Sequence, residues 1–227
     1  MAEFVQVQNL SKSFVEGDRE IHVLRGLDLM LGEGERLAVV GESGVGKSTL
    51  LHILGSLDHS SGGRVLYRGK DLATMTADEL SQYRNQEIGF VFQFHYLLPD
   101  FTALENVMLP ALIRGWDWGR ARDGAAELLA MMGLKDRSRH QPGKLSGGEQ
   151  QRVAVARSVI LEPKLILADE PTGDLDPHTG EEIEEILFRL NREKSAALIV
   201  ATHNRQFAHK LGCQMELREG QLLPLAD

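Results

Sequence analysis

Residues Gly41-Glu42-Ser43-Gly44-Val45-Gly46-Lys47-Ser48-Thr49 follow the apolar run Arg36-Leu37-Ala38-Val39-Val40 without a gap. That junction restricts the fold more than any other stretch of the chain. A strand that is apolar at nearly every position suits burial on both faces, as in the centre of a parallel sheet. Parallel neighbours need helical crossovers, and the residues after the glycines, 47–54, read as a short helix. The glycines let the backbone curl so that successive N–H groups face inward. Those donors and the helix N-terminus attract phosphate oxygens. In such a loop Lys47 reaches β- and γ-phosphates, Ser48 offers its hydroxyl to Mg2+, and Thr49 is placed nearer the α-phosphate. A glycine-rich turn can also arise by chance; the strand before it and the helix after it argue against that here.

The rest of the chain alternates in the way such a sheet requires. Strand-like segments are expected at 4–10, 21–31, 64–67, 88–92, 164–168 and 197–201, with Gly62-Gly63 as a break before the third. Helices are expected from Thr76, whose capping partner is Glu79, around 104–112, and over 121–132, 146–160 and 178–192. A hairpin around Gly220 closes the pattern. The expectation is a single domain over 1–227, with a helical subdomain at approximately 94–160 inserted in an α/β core.

Two further strand ends carry chemistry. Leu165-Ile166-Leu167-Ala168 runs into Asp169 and Glu170. Open α/β sheets bind ligands at the carboxyl ends of their strands. There Asp169 is placed to hold the Mg2+ shell and Glu170 to act as general base on water. Two acids after a strand are ordinarily a plain strand exit; the upstream phosphate loop changes that balance. His203 follows the strand 197–201 and can contact the γ-phosphate, or be a surface histidine. Gln93 follows 88–92; its amide can bind Mg2+ or water, although a lone glutamine says little.

The stretch Leu145-Ser146-Gly147-Gly148-Glu149-Gln150-Gln151-Arg152 is the most specific. Ser146 and Glu149 form a capping box. Two glycines in the first turn cost about 1 kcal/mol each relative to alanine. They make sense where a phosphate must come close to bare N–H groups.

Taken in order, GESGVGKST, Gln93, LSGGEQQR, LILADE, the turn Gly173-Asp174-Leu175-Asp176 and His203 resemble the nucleotide-binding subunit of an ATP-binding-cassette (ABC) transporter, over nearly the whole chain. The resemblance implies an α/β fold of the P-loop NTPase type: an ABC-type ATPase core with a mostly parallel sheet, an antiparallel β subdomain and a helical subdomain. It implies ATP and Mg2+ as cofactors and hydrolysis by a head-to-tail pair of identical chains. Ser146, Gly147 and Gly148 of one copy would close over ATP held by Lys47 of the other. Asp176 would stand at the seam between copies, and Phe14 would stack on adenine, where tyrosine is frequent in the family. As a strand-end aromatic, Phe14 also reads as plain core.

Gln93-Phe94-His95-Tyr96-Leu97-Leu98-Pro99 and the following residues are similar to bacterial lipoprotein-releasing ATPases. That similarity implies integral membrane permease partners of the LolC/LolE kind and a peripheral location on the cytoplasmic face of the inner membrane. Phe94, Tyr96, Leu97, Leu98 and Phe101 are the candidates for the docking groove, or for packing inside the chain. Tyr96, Asp174 and Asn204 depart from the pattern, which has histidine, asparagine and aspartate there. The alternatives are the ATPase of a macrolide-type exporter, normally fused to membrane helices, or of a cell-division complex. Chromosome-maintenance and recombination ATPases need long coiled coils. Only 98 residues separate Lys47 from Ser146, without sustained heptads.

Composition agrees. No run approaches the 18 or so apolar residues a membrane span needs, so any channel is expected in a separate polypeptide. Acidic residues number 33 against 25 basic, a net charge of -8, and no nucleic-acid partner is expected. The single cysteine, Cys213, cannot form an intrachain disulfide and suits a reduced compartment.

Overall fold

The computed structural model describes residues 4–17 and 19–225; Met1–Glu3, Asp18 and the last two residues of the expected 1–227 domain lie outside them. In chain order the elements are β1 (Val5–Glu16), β2 (Arg19–Leu31), β3 (Arg36–Val40), α1 (Lys47–Leu54), β4 (Gly62–Tyr67), β5 (Lys70–Asp71), α2 (Ala77–Gln82), β6 (Ile88–Phe92), α3 (Ala103–Ile113), α4 (Trp118–Met131), α5 (Gly147–Val159), β7 (Leu165–Asp169), α6 (Pro177–Lys194), β8 (Ala197–Ala201), α7 (Arg205–Leu211), β9 (Gln214–Arg218) and β10 (Gln221–Pro224).

They build two sheets. The larger has the order β10-β9-β3-β8-β7-β6 and is parallel except for the β9–β10 hairpin. The smaller, β2-β1-β4-β5, is antiparallel. Period-two alternation in the central strands divides the interior into two cores. Leu165, Leu167, Ala197, Ile199 and Ala201 face α1 and the smaller sheet. Ile166, Ala168, Leu198 and Val200 face the helical layer of α3, α4 and α5 together with α6 and α7. β8 is buried throughout and β7 up to Asp169, and each fully buried leucine, isoleucine or valine contributes roughly 1.5–3 kcal/mol. A charge at Ile199 would meet apolar neighbours with no partner, which is the quickest way to break this layer.

Register decides where the site falls. Phe92 pairs with Asp169 and Asp169 with Ala201, while Val39 on β3 also pairs with Ala201. Four strands therefore end level, and the residues that follow them, Gln93, Glu170, Thr202-His203 and Gly41, share one edge.

Three local expectations change. Gly62-Gly63 lies inside β4 instead of preceding it; a Cβ at Gly63 would sit 2.3 Å from the Asn9 carbonyl oxygen, where β1 bulges between Gln8 and Ser11. The helix expected from Ala121 begins at Trp118, because Asp117 accepts a hydrogen bond from the Arg120 N–H and caps it there. Residues 205–211 form a helix with no expected counterpart, capped by Asn204, whose Oδ1 accepts from the N–H groups of Gln206 and Phe207.

Candidate functional site

The phosphate loop is a closed curl between β3 and α1. Gly41 and Gly46 adopt φ of 153° and 114°. A Cβ on Gly41 would lie 2.6 Å from the Leu217 carbonyl oxygen, and one on Gly46 the same distance from Val23 Cγ1. Both must be glycine for the loop to nest against β2 and β9. Helix α1 opens without a side-chain cap and without an acidic residue in its first turn. Helices α2, α3 and α5 each begin with a complete capping box. The bare N–H groups and dipole of α1 therefore remain for an anion.

Lys47 crosses the mouth of this curl. It is 7% exposed, and its Nζ donates to the carbonyls of Gly41 and Glu42 at 2.8 and 2.9 Å. A buried ammonium needs several partners. Two of its three N–H donors go to carbonyls, and Glu170 Oε1 at 3.8 Å lies beyond hydrogen-bond reach, so one donor remains for a phosphate oxygen.

Opposite the loop, Asp169 ends β7. Burial pushes its carboxyl above the usual range; the Ser48 hydroxyl pulls it down, and neighbouring Glu170 adds to the rise. Its Oδ1 is buried with no hydrogen-bond partner among the described residues. A divalent cation would satisfy that oxygen and favour its charged form, so the donors Ser48, Asp169 and Gln93 fit Mg2+. Glu170 is held in a left-handed conformation at φ 44°, with its N–H on the Ala201 carbonyl at 2.8 Å. Its Oε2 lies 2.9 Å from His203 Nδ1 and accepts the His203 backbone N–H at 3.2 Å. One oxygen of the pair is thereby anchored and the other left facing Lys47.

Gln93 donates through Nε2 to Asp174 Oδ1 at 3.0 Å. With Ser43, Gly44, Gly46, Lys47, Ser48, Thr49, Asp169, Glu170 and His203 it lines one cavity of about 470 Å³. Gly41, Glu42 and Val45 shape the loop without lining the cavity. Phe14 stands apart in β1, 42% exposed, with Lys12 Nζ 4.7 Å above its ring.

Ser146, Gly147, Gly148 and Asp176 are also absent from that lining. They form a second cluster at the tips of α5 and α6. Ser146 Oγ accepts the Glu149 N–H at 3.2 Å, Glu149 Oε2 accepts the Ser146 N–H at 2.8 Å, and Arg137 Nε braces Glu149 at 3.0 Å. Asp176 caps α6 on the Thr179 N–H at 3.1 Å. The two glycines differ. A Cβ on Gly148 would lie 2.4 Å from Thr179 Cγ2, so a larger residue there would have to displace the Thr179 side chain on α6. A Cβ on Gly147 would meet nothing within 4 Å. Packing against α6 thus gives a reason for a small residue at Gly148, and no such reason exists at Gly147.

The family model described as ABC transporter matches residues 24–173. This chain belongs to the ABC transporter family. A Syntrophus aciditrophicus protein called lipoprotein-releasing system ATP-binding protein LolD is 51% identical over 222 residues, 98% of this chain and 100% of its own length. Its namesake in Geobacter metallireducens is 48% identical over 223 residues, 98% and 99% of the two chains. Among solved structures, the dimeric bacterial ABC transporter cassette MJ0796 superposes with a TM-score of 0.91 at 38% identity, over 96% of each chain. A dimeric post-hydrolysis state of that cassette bound to ADP and Pi matches to the same degree. The chain is thus an ABC-type ATPase with the P-loop core of that family, and it binds ATP.

Two side chains of the ABC cassette that sequence reasoning passed over tie its parts together. Gln151, 1% exposed on α5, donates through Nε2 to the carbonyls of Phe92 and Pro171 at 3.3 and 2.7 Å. One amide thus braces the residue before Gln93 and the residue after Glu170. Arg157 donates to the carbonyls of His95 and Tyr96 at 2.8 and 2.7 Å, and burial lowers its pKa. Both read in sequence as the polar face of a helix. Of the groove candidates, Phe94, Tyr96, Leu98 and Phe101 are exposed, whereas Leu97 packs against the core beneath the helical layer.

Proposed function

We propose that two copies of this chain close head to tail over two ATP molecules and that the cycle drives a membrane transporter releasing lipoproteins from the inner membrane toward the outer membrane. The observation that carries the pairing is the split site. The cavity around Lys47 gathers one set of phosphate ligands, while the tip of α5, outside that cavity, carries at Gly147 a glycine that no neighbour in the folded chain requires. The dimeric state of the MJ0796 cassette supports the pairing of two copies.

Within each site Lys47, the loop N–H groups of 41–49 and the tip of α1 bind the phosphates. Phe14 offers its open ring face to adenine. Ser48, Asp169 and Gln93 hold Mg2+, which when bound neutralises developing charge on the phosphates. Glu170 takes a proton from the attacking water through the oxygen that His203 leaves free, and His203, on the wall of the same cavity, orders the γ-phosphate. The partner's Ser146, Gly147 and Gly148 complete the cradle, and Asp176 lies at the seam. The whole cassette acts as one domain over 1–227 with its helical subdomain near 94–160.

Phe94, Tyr96, Leu98 and Phe101, presented together on the segment after Gln93, offer an apolar surface for permease subunits resembling LolC and LolE. Among the described residues no helix is long and apolar enough to cross a membrane. Membrane contact therefore runs through those partners, at the cytoplasmic face of the inner membrane. The near-full-length LolD relatives support this assignment over a macrolide-type exporter or a cell-division complex. Purification from membranes with mass spectrometry tests it: lipoprotein-release permeases are the expected companions, and recovery of a cell-division membrane protein would overturn the assignment.

A further inference from the structure

The geometry points to Asp174 as a positioning residue whose carboxylate fixes which end of the Gln93 amide faces the nucleotide cavity. A glutamine amide has a donor end and an acceptor end, and the two are nearly the same shape. Only the carbonyl end can ligate a cation. An ionised carboxylate accepts hydrogen bonds and donates none. Asp174 Oδ1 at 3.0 Å therefore selects Nε2. The opposite orientation would set two oxygens against each other. With Nε2 committed to Asp174, Oε1 is the end left for the cavity that Gln93 lines beside Ser48 and Asp169.

The turn is shaped for this contact. Gly173 lies under the same amide: a Cβ there would be 3.3 Å from Gln93 Nε2 and 3.5 Å from its Cδ. A glycine followed by a carboxylate thus gives the amide a flat floor and a single acceptor. An asparagine at 174 would accept with Oδ1 or donate with Nδ2 and satisfy either orientation. Aspartate at this position is accordingly a choice with a chemical consequence. The inference rests on Gln93 serving as a cation ligand, and the test separates the two.

Mn2+, standing in for Mg2+, is titrated by electron paramagnetic resonance into the full chain loaded with a non-hydrolysable ATP analogue. Asp174→Asn leaves two amide orientations about equally satisfied, which halves the competent population and weakens Mn2+ about twofold. Asp174→Lys presents donors only, captures Oε1 and weakens Mn2+ about tenfold. The added positive charge acts on its own as well, so the same substitution is made in a Gln93→Ala background, where no more than about a twofold further loss is expected. Equal losses from Asp174→Lys with and without Gln93 would overturn the inference, as would unchanged affinity in both Asp174 variants while Gln93→Ala weakens Mn2+. Unchanged affinity in Gln93→Ala would remove Gln93 from the cation site altogether, and the role of Asp174 with it.

Discussion

The two glycine-bearing helix tips of this chain, at α1 and at α5, use the same backbone device and are finished to different degrees. The α1 tip is uncapped and opens into a cavity lined by Lys47, Asp169, Glu170 and His203. The α5 tip is capped by its own box and braced by Arg137, with Ser146 and Gly147 exposed. Stability explains the second almost entirely; it explains the first hardly at all. An uncapped helix start beside a cavity leaves its N–H groups for a ligand, whereas a capped start with a glycine that no neighbour requires has room for a surface from outside the chain.

The largest effect on nucleotide binding should follow from breaking the α1 tip. Lys47→Ala removes the cation around which the loop curls. Nucleotide affinity, read with a fluorescent ATP analogue, is expected to fall by about 100-fold or more, since charge-assisted hydrogen bonds count about 1.5–3 kcal/mol each and Lys47 would reach both β- and γ-phosphates.

Glu170→Gln comes next. Losing the general base should cost about 10²–10⁴ in phosphate release while ATP-bound pairs accumulate, visible in sedimentation with Mg-ATP. A persistent monomer at high protein concentration would count against a shared site.

The exposed tip gives the sharpest contrast. Gly147→Glu places a side chain where the folded chain leaves more than 4 Å of space, and an acid in the first turn favours the helix dipole. The melting temperature should hold or rise, binding of the fluorescent analogue to the monomer should be unchanged, and turnover should be lost. Loss of monomer binding as well would place both tips on one nucleotide within a single chain.

Smallest is Ser146→Ala, which removes a cap worth about 1 kcal/mol, read as a lower melting temperature. The Ser146 N–H holds the Glu149 carboxyl below its usual range, with Arg137 assisting. A depressed carboxyl stabilises the folded state above its unfolded pKa of 4.5 and loses that contribution as pH falls through the folded value. The cap should therefore weaken only in acid, and less so in Glu149→Gln.

The same contrast explains what could be read from sequence. Features written in adjacent residues were legible: the apolar strand running into the phosphate loop, the capping boxes at Thr76 and Ser146, the hairpin at Gly220. Strand ends predicted which residues would meet, since parallel register brings Gln93, Glu170, His203 and Gly41 to one edge. Features that depend on a distant neighbour were not. Gly148 needs Thr179 to explain it, and Gly63 needs the bulge in β1. Gln151 and Arg157 spend their donors on carbonyls 20 to 62 residues away, so nothing local marks them. Asn204, a departure from the family pattern, turns out to cap α7.

The central claim is that each triphosphate is gripped by two polypeptides. A structure of the Glu170→Gln protein with Mg-ATP measures this directly. The account predicts the γ-phosphate between Lys47 of one chain and the Ser146–Gly148 N–H groups of the other, in both halves of a symmetric pair. A closed, ATP-loaded complex in which the nucleotide contacts only one chain would contradict it.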